Sequence, residues 1–214
     1  IEKAKKDNKF GQDSVIASKN HLIENLNVAG KFESKEKEAT FKVYSKKGKP
    51  VEELIDIWPR GAEPPKSLVD FDKLLDAFMS RFYFSVGQNE EEIDERKYYK
   101  VHFSPKEDLP AEKEYSDYVL NRTAGIIYID KKTYMVRRIN ASLIQEISKS
   151  GFWTSYHANK LDLEISFQEW HKLGLLKKIT ATARYSYRVA TVTVRRYQTH
   201  TLSFGYETKE SKPL

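Results

Sequence analysis

Apolar or aromatic residues alternate with polar ones throughout the stretch Lys178-Ile179-Thr180-Ala181-Thr182-Ala183-Arg184-Tyr185-Ser186-Tyr187-Arg188-Val189. The stretch Leu161-Asp162-Leu163-Glu164-Ile165-Ser166-Phe167-Gln168 repeats this alternation. A period of two places the apolar side chains on one face of a strand and the polar side chains on the other. One buried and one wet face are typical of antiparallel sheets. These two segments therefore predict the fold class.

The same pattern extends in weaker form over most of the chain. We expect extended segments at 14–28, 33–44, 51–58, 81–86, 97–104, 125–130, 134–147 and 191–206, turns at 29–31, 47–50 and 131–133, and a long loop at 105–119. Strands of ten residues or more must twist, and a large sheet of them curls. The sequence thus predicts a mainly β (α+β) fold. In it, a large curled antiparallel sheet forms a half-open β-barrel, with one or two helices packed at its concave side.

One segment has helical periodicity. Ser67 and Asp70 resemble a capping box. An apolar stripe at helical spacing follows, consisting of Leu68, Phe71, Leu74, Leu75 and Phe78. Such a stripe is typical of a helix packed on a sheet, and a lid over a cavity is the alternative. We expect a single domain over residues 1–214, with a helical or frayed tail at 1–13 and a loop plus lid helix at 59–79.

The charge of the chain is unevenly distributed. The 214 residues include 37 basic and 31 acidic side chains, and the net charge of +6 divides into +5 for residues 1–50, −8 for 51–120 and +9 for 121–214. A basic last third with many aromatics is one feature of nucleic-acid binding. Its Lys and Arg residues fall mostly at alternating strand positions, however, which favours a solvated sheet face. We therefore expect no nucleic-acid partner. No apolar run approaches the ~20 residues of a membrane span, so we also expect no transmembrane segment.

Motifs for catalysis and metal binding are missing. The absence of cysteine excludes disulfides, thiolate zinc sites and cysteine nucleophiles within these residues. The five histidines do not have metal-ligand spacing, and neither a Gly-rich phosphate loop nor a Gly-x-Ser-x-Gly elbow occurs. We therefore expect no enzyme, cofactor or metal site, although distant residues can assemble catalysis without a motif.

Two features of the last third concern a binding face. Ala181 and Ala183 are small where larger apolar residues would fill volume. They either accommodate a bulky neighbour, such as Phe78 or Trp170, or leave room for a bound apolar chain. In the segment 191–206, the apolar face also carries three polar residues, Arg196, Gln198 and His200. We expect a β-bulge or a rim position to place these three in water, since a partly polar cavity with an unpaired Arg would be costly.

Several segments together resemble a family of bacterial envelope proteins. They comprise 28–44, 48–55, Asn121-Arg122-Thr123-Ala124-Gly125-Ile126-Ile127-Tyr128-Ile129-Asp130, Tyr134-Met135-Val136-Arg137-Arg138, Ser150-Gly151-Phe152, Trp170 and Ala181-Thr182-Ala183-Arg184. The most distinctive is Asn-Arg-x-x-Gly followed by an apolar-aromatic-Ile-Asp strand. The family consists of proteins similar to outer-membrane lipoprotein-sorting proteins (LolA-like), and the likeness spans residues 28–206.

The resemblance implies an exported, periplasmic protein with a half-open antiparallel barrel whose mouth is closed by helices. The best-studied relatives of that fold carry lipoproteins by holding their acyl chains on the concave apolar face. They use a lid-latching arginine, and no local motif assigns that role to Arg137, Arg138 or another residue here. Carrier function is therefore an analogy of fold. The chain begins at Ile1, so a removed signal peptide and a cloning boundary both stay open.

From these features we expect a non-enzymatic binding protein of the periplasm that holds a lipid, an acyl chain or a lipidated protein. The expected ligand-binding residues are Phe71, Leu74, Leu75, Phe78, Leu163, Ile165, Phe167, Ala181, Ala183 and Tyr185. One alternative is an envelope protein-interaction module whose core is filled by its own side chains. Another is binding of nucleic acid or an anionic surface through the basic last third.

Overall fold

The structure is a computed structural model that describes residues 15–46, 49–65, 78–87, 90–93, 95–109, 115–151, 154–170 and 173–208. Its strands are β1 (Val15–Leu26), β2 (Phe32–Lys46), β3 (Lys49–Trp58), β4 (Phe82–Val86), β5 (Glu91–Ile93), β6 (Arg96–Pro105), β7 (Thr123–Asp130), β8 (Val136–Leu143), β9 (Ile147–Ser150), β10 (Thr154–Trp170), β11 (Leu173–Val189) and β12 (Val192–Thr208). Within these ranges the helices are short: a helical segment at 78–81 and α1 (Tyr115–Leu120).

All twelve strands belong to one antiparallel sheet. Its order is β3-β2-β1-β12-β11-β10-β8-β7-β6-β4, with β5 also paired to β6 and β9 also paired to β10. The mainly β, antiparallel class is therefore confirmed. The sheet is neither closed nor strongly curled, so it is more open than the expected half-barrel. Strand length alone therefore does not produce strong curl, since β1, β2, β3 and β6 also have ten residues or more.

Residues that pair directly on neighbouring antiparallel strands share a face of the sheet. One row of such pairs crosses ten strands, and it is apolar at every position except His21. The row runs through Ile57, Ala39, His21, Leu202, Ile179, Ile165, Ile139, Ile127, Val101 and Val86. We call the face that carries this row the apolar face and the opposite one the polar face.

The polar face confirms how the basic last third was interpreted. Lys178, Arg184 and Arg188 alternate with the apolar-face residues of β11, and Arg195 pairs with Ser186 on the same side. Their charges are therefore spread along the polar side of two long strands. Arg196 is the exception, since it pairs with Tyr185 on the apolar face and is exposed there.

The buried core lies on the apolar face between β4 and β11. It consists of Phe82, Phe103, Ile127, Val136, Ile139, Ala141, Ile165, Phe167 and Leu176. Phe78, from the helical segment, packs on it with its ring centroid 4.6 Å from that of Phe82 and 4.7 Å from that of Phe103. Leu120 of α1 also packs against this cluster. The expected packing of helical residues against the sheet is thus present.

The two helical pieces are tied together by a buried arginine. Arg81 is 7% exposed, and its guanidinium donates to Asn121 Oδ1 and to Asp117 Oδ1, each at 2.6 Å. A charge removed from water in this way needs such partners. The hydrogen bond from Arg81 gives a structural reason for Asn121, the first residue of the 121–130 motif.

The glycine of the same motif is required by packing. A Cβ atom on Gly125 would lie 2.0 Å from the carbonyl oxygen of Asn140 and 2.7 Å from Cζ of Phe103. Such distances are far inside van der Waals contact, so a side chain here would displace the Phe103 ring or the β8 backbone. The motif therefore marks where the Phe103 ring packs closely on the sheet.

The local predictions had mixed outcomes. The sheet break at 59–65 is confirmed, since β3 ends at Trp58 and no strand follows before residue 66. The long loop at 105–119 is wrong in part, because α1 begins at Tyr115. A helix of six residues is too short to show an apolar stripe. Residues 67–77 of the expected helix lie outside the described residues, and so does the expected tail at 1–13.

Candidate functional site

The structure places the ten predicted ligand-binding residues in three groups. Phe71, Leu74 and Leu75 lie outside the described residues. Phe78, Ile165 and Phe167 belong to the core or pack on it, and Leu163 also packs against it. Leu163, Ala181, Ala183 and Tyr185 lie on the apolar face where it continues from the core towards β12 and β1. The candidate site is built around this last group.

Two further rows of paired residues cross this part of the apolar face. The first contains Leu163, Ala181, His200 and Ile23, and the second contains Leu161, Ala183, Gln198 and Asn25. The apolar members of both rows are half-buried, and we call them the half-buried strip: Ile23, Leu161, Leu163, Ala181 and Ala183. The paired neighbours of Ala181 are Leu163 and His200, so neither of the expected bulky aromatics faces it directly across the ladder.

A hydrogen-bonded polar group adjoins this strip, with Gln198 at its centre. Gln198 is 3% exposed. Its Oε1 accepts from the Tyr185 hydroxyl at 2.7 Å, and its Nε2 donates to Asn25 Oδ1 at 3.0 Å and to the Glu36 carboxylate. A register shift opposite Ile23 and Glu24 leaves Glu36 outside the ladder, where its side chain reaches across β1. The amide is fully partnered, which makes its burial tolerable.

The predicted β-bulge in β12 is therefore wrong. The pairing of β12 with β1 and with β11 runs from residue 198 to residue 202 without a register shift. Gln198 and His200 stay on the apolar face, Gln198 buried and His200 half-buried, and only Arg196 is exposed as expected. The bulge lies in β2 instead, and it supplies the carboxylate that partners Gln198.

Two histidines lie side by side next to Gln198. His21 and His200 are diagonal neighbours on β1 and β12, with ring centroids 5.7 Å apart. His21 is 3% exposed, and its buried Nε2 has no hydrogen-bond partner in the described part of the chain. Burial lowers the pKa of His21 to about 4, and the neighbouring His200, Lys19 and Lys37 contribute to the same shift. Burial also lowers the pKa of His200, against the opposing effect of Glu36.

A buried lysine completes the group. Lys19 is 4% exposed, its Nζ lies 2.5 Å from the Glu52 carboxylate of β3, and it also stacks over the Phe41 ring at 4.6 Å. Because Lys19 pairs with Phe204 and Phe41 on neighbouring strands, it shares the apolar face with His21. We call Lys19, His21, Asn25, Glu36, Tyr185, Gln198 and His200 the polar cluster.

Of the polar cluster, the sequence interpretation named Tyr185 as a ligand-binding residue and missed Lys19, His21, Asn25 and Glu36. The apolar residues Leu22, Leu26 and Val28 predict one apolar side for the segment 14–28. The structure instead pairs Leu22 with Thr201 on the polar face. Both faces of β1 carry polar residues, so its own alternation does not indicate which face is buried. The available signals were Gln198 and His200, two polar residues among the apolar residues of β12.

The composition of the polar cluster and the strip is suited to orienting a bound ligand. Within the described ranges, no three His, Cys, Asp or Glu side chains come together as a metal site would require. The polar cluster offers hydrogen-bond donors and acceptors beside an apolar strip, which is the composition of a site that orients a largely apolar ligand. No described helix has the length and apolar character needed to span a bilayer.

A second concave feature lies at the other end of the sheet. It is an open groove of about 480 Å³ formed by β4, β6 and β7. Its lining includes Tyr83, Ser85, His102, Ser104 and Ile126, which lie on the polar face because they alternate with Phe84, Phe103 and Ile127. The groove is thus separate from the polar cluster.

No family model and no curated protein matches this sequence. Among solved structures, the chain is similar to a DUF1329 family protein from Desulfovibrio piger. The two are 10% identical and superpose with a TM-score of 0.40, over 99% of this chain and 92% of the other. A likeness of this size carries no argument about fold or function, so the resemblance to lipoprotein-sorting proteins stays a prediction.

Proposed function

We propose that this chain is a non-enzymatic binding protein of the bacterial periplasm, which holds a lipid, an acyl chain or a lipidated protein on the apolar face of its sheet. Because the sheet is open, the ligand would lie along that face and not inside a barrel. The periplasmic location and the carrier role follow the family resemblance and are part of the proposal.

The observation that carries the proposal is the half-buried strip. Ala181 and Ala183 are small, are flanked by Leu163 and Leu161, and are half-buried, whereas the core on the same face is closed by Phe82 and Phe103. An apolar surface of this kind gains free energy when an apolar ligand covers it. The strip ends at hydrogen-bonding groups, which would suit the polar end of an amphiphile.

The available free energy is sufficient for firm binding. Each buried methylene contributes about 0.8 kcal/mol, so ten methylenes would contribute about 8 kcal/mol before ordering costs. Specificity would then depend on the groups at the end of the strip more than on the chain itself. This matches the division of the site into an apolar strip and a polar cluster.

The proposal is tested by native mass spectrometry of the freshly purified protein and by titration with a fluorescent fatty acid. We expect co-purified lipid, saturable uptake, or both. Leu163→Glu should abolish uptake, because a carboxylate would replace apolar surface in the strip. Absence of both lipid and uptake in the unmodified protein would refute the proposal.

A matched control separates the effect of the position from the effect of adding a charge to β10. Ser166 lies on the same strand as Leu163 but on the polar face, where it pairs with Lys178 and Arg138. Ser166→Glu therefore adds the same charge among cations and should leave uptake unchanged. Equal uptake by the Leu163→Glu and Ser166→Glu variants would also count against the strip.

The protein-interaction module is a second candidate, and one observation favours it. The face between β4 and β8 is filled by the chain's own aromatic side chains, with Phe82 2% exposed and in edge-to-face contact with Phe103 at 5.1 Å. A module of this kind would bind no fatty acid and would yield a protein partner on crosslinking in the envelope. The same titration therefore distinguishes the two candidates.

A further inference from the structure

The half-buried strip and the polar cluster meet at His21, and their contact indicates what kind of ligand end fits there. His21 lies in the apolar row between Ala39 and Leu202, which are buried with it. The adjacent row, with Ile23, His200 and Ala181, is only half-buried. An acyl chain lying on the strip would bring its end next to the His21–His200 pair.

The Nε2 atom of His21 is a buried group without a partner in the described residues. Buried polar side-chain atoms in proteins nearly always have a hydrogen-bond partner, and an exception calls for an explanation. The neighbouring amide of Gln198 is fully partnered by protein groups. The cluster thus satisfies the buried amide of Gln198 and leaves the buried Nε2 of His21 without a partner in the described residues.

The charges around His21 favour an anion at this place. From β1, Lys19 lies on the same face, and from β2, Lys37 pairs with Ile23 one row away. Both lysines disfavour a positive charge on His21, so they create a positive potential there. Two carboxylates lie near these residues. Glu52 of β3 is bound to Lys19, and Glu36 of β2 is bound to Gln198.

We infer that the unpartnered Nε2 of His21, beside Lys19 and Lys37 at the end of the half-buried strip, is the recognition point for the anionic head group of an amphiphile. This inference depends on the proposed function and specifies its ligand class. The head group would accept a hydrogen bond from His21 and neutralise the local positive potential. A carboxylate and a phosphate monoester share this chemistry.

The test compares probes that differ only in the head group. Fluorescently labelled fatty acid, its methyl ester and a labelled alkyl phosphate of equal chain length are titrated into the intact protein at pH 7. We expect the acid and the phosphate to bind at least tenfold more tightly than the ester. A preference for the acid alone would restrict the head group to a carboxylate, and a preference for the phosphate alone would restrict it to a phosphate.

Variants then locate the preference. His21→Leu should reduce the preference for the acid over the ester to less than threefold while leaving the ester affinity unchanged. Lys37→Gln removes a charge from a half-buried position and should reduce the preference by about threefold. This variant replaces His21→Leu as the test if His21→Leu does not fold. His157→Leu is the matched control, because His157 pairs with Ser148 and Ser186 on the polar face, and it should change neither affinity.

The outcomes separate this inference from the function on which it depends. Equal binding of acid and ester, or a preference that persists in both His21→Leu and Lys37→Gln, would overturn the inference and leave lipid binding intact. Failure of all three probes to bind would overturn both.

Discussion

The apolar face of this sheet has two halves that differ in how they are buried. From β4 to β10, aromatic and branched side chains such as Phe82, Phe103 and Ile127 form a buried core on it. From β11 through β1 to β2, the same face contains a lysine, two histidines and a glutamine among small apolar residues. The first half is what a sheet needs for stability.

The second half is what a sheet would avoid if stability were the only requirement. A buried His with an unpartnered nitrogen and a buried Lys with one carboxylate both cost free energy compared with apolar residues of similar size. Their position beside half-buried Ala181 and Ala183 connects this cost with a binding surface. The comparison therefore predicts that substitutions destabilise the core half and change ligand binding in the polar half.

The largest effect is expected in the closed half. Phe82→Ala should lower the free energy of unfolding by about 4 kcal/mol, because it removes a buried ring and leaves a cavity among Phe78 and Phe103. Urea denaturation measures the change. Phe32→Ala, at a position 60% exposed, should cost less than about 0.5 kcal/mol. Similar losses for the two variants would contradict the assignment of the core.

The buried arginine gives the next largest effect. Arg81→Met should cost about 3 kcal/mol, since it leaves Asp117 without the guanidinium that now binds it. The reference is Lys35→Met, which breaks a more exposed pair with Glu38 and should cost less than about 1 kcal/mol. If Arg81→Met is no more destabilising than Lys35→Met, the helical segments are not held by this contact.

A pH effect distinguishes the polar half. The pKa of His21 falls from 6.5 to about 4 on folding, so below pH 6.5 the unfolded chain binds a proton that the folded chain does not. Stability should therefore fall as the pH drops from 6.5 towards 4, by about 2 kcal/mol between pH 8 and pH 5 from this residue alone. Urea denaturation at both pH values in His21→Leu should show a correspondingly smaller loss, with a remainder from His200. An unchanged loss in the variant would exclude His21 as the cause.

The smallest effect is the most informative about the comparison. At pH 7.5, His21→Leu should change the free energy of unfolding by less than about 1 kcal/mol, or even raise it, because leucine fills the volume and leaves no unpartnered nitrogen. The same thermal or urea measurement on Ile127→Asn, in the same row but in the closed half, should show a large loss. A loss of several kcal/mol for His21→Leu would mean that this histidine has a structural role.

The sequence predicted the long strands and missed most of the polar cluster for related physical reasons. In β11, apolar-face residues such as Ile179 and Ala181 alternate with polar residues from residue 178 to residue 189, so a period of two is visible in the strand itself. In β1, Lys19, His21 and Asn25 face inward while Leu22 faces outward, and only pairing with β2 and β12 determines the buried side. The reach of Glu36 depends on a bulge in β2 that no residue type signals. The predicted curl was too strong because strand length does not by itself set curvature: the edge strand β3 has ten residues and its neighbour β2 has 15.

The most direct test of the central claim is photo-crosslinking of the purified protein with a fatty acid that carries a diazirine on its acyl chain, followed by peptide mapping. The binding surface described above predicts crosslinks to β10, β11 and β1, concentrated on Leu161, Leu163, Ala181, Ala183 and Ile23, and competed away by unlabelled fatty acid. Crosslinks that map instead to the groove at Tyr83 and His102, or that persist under competition, would contradict it.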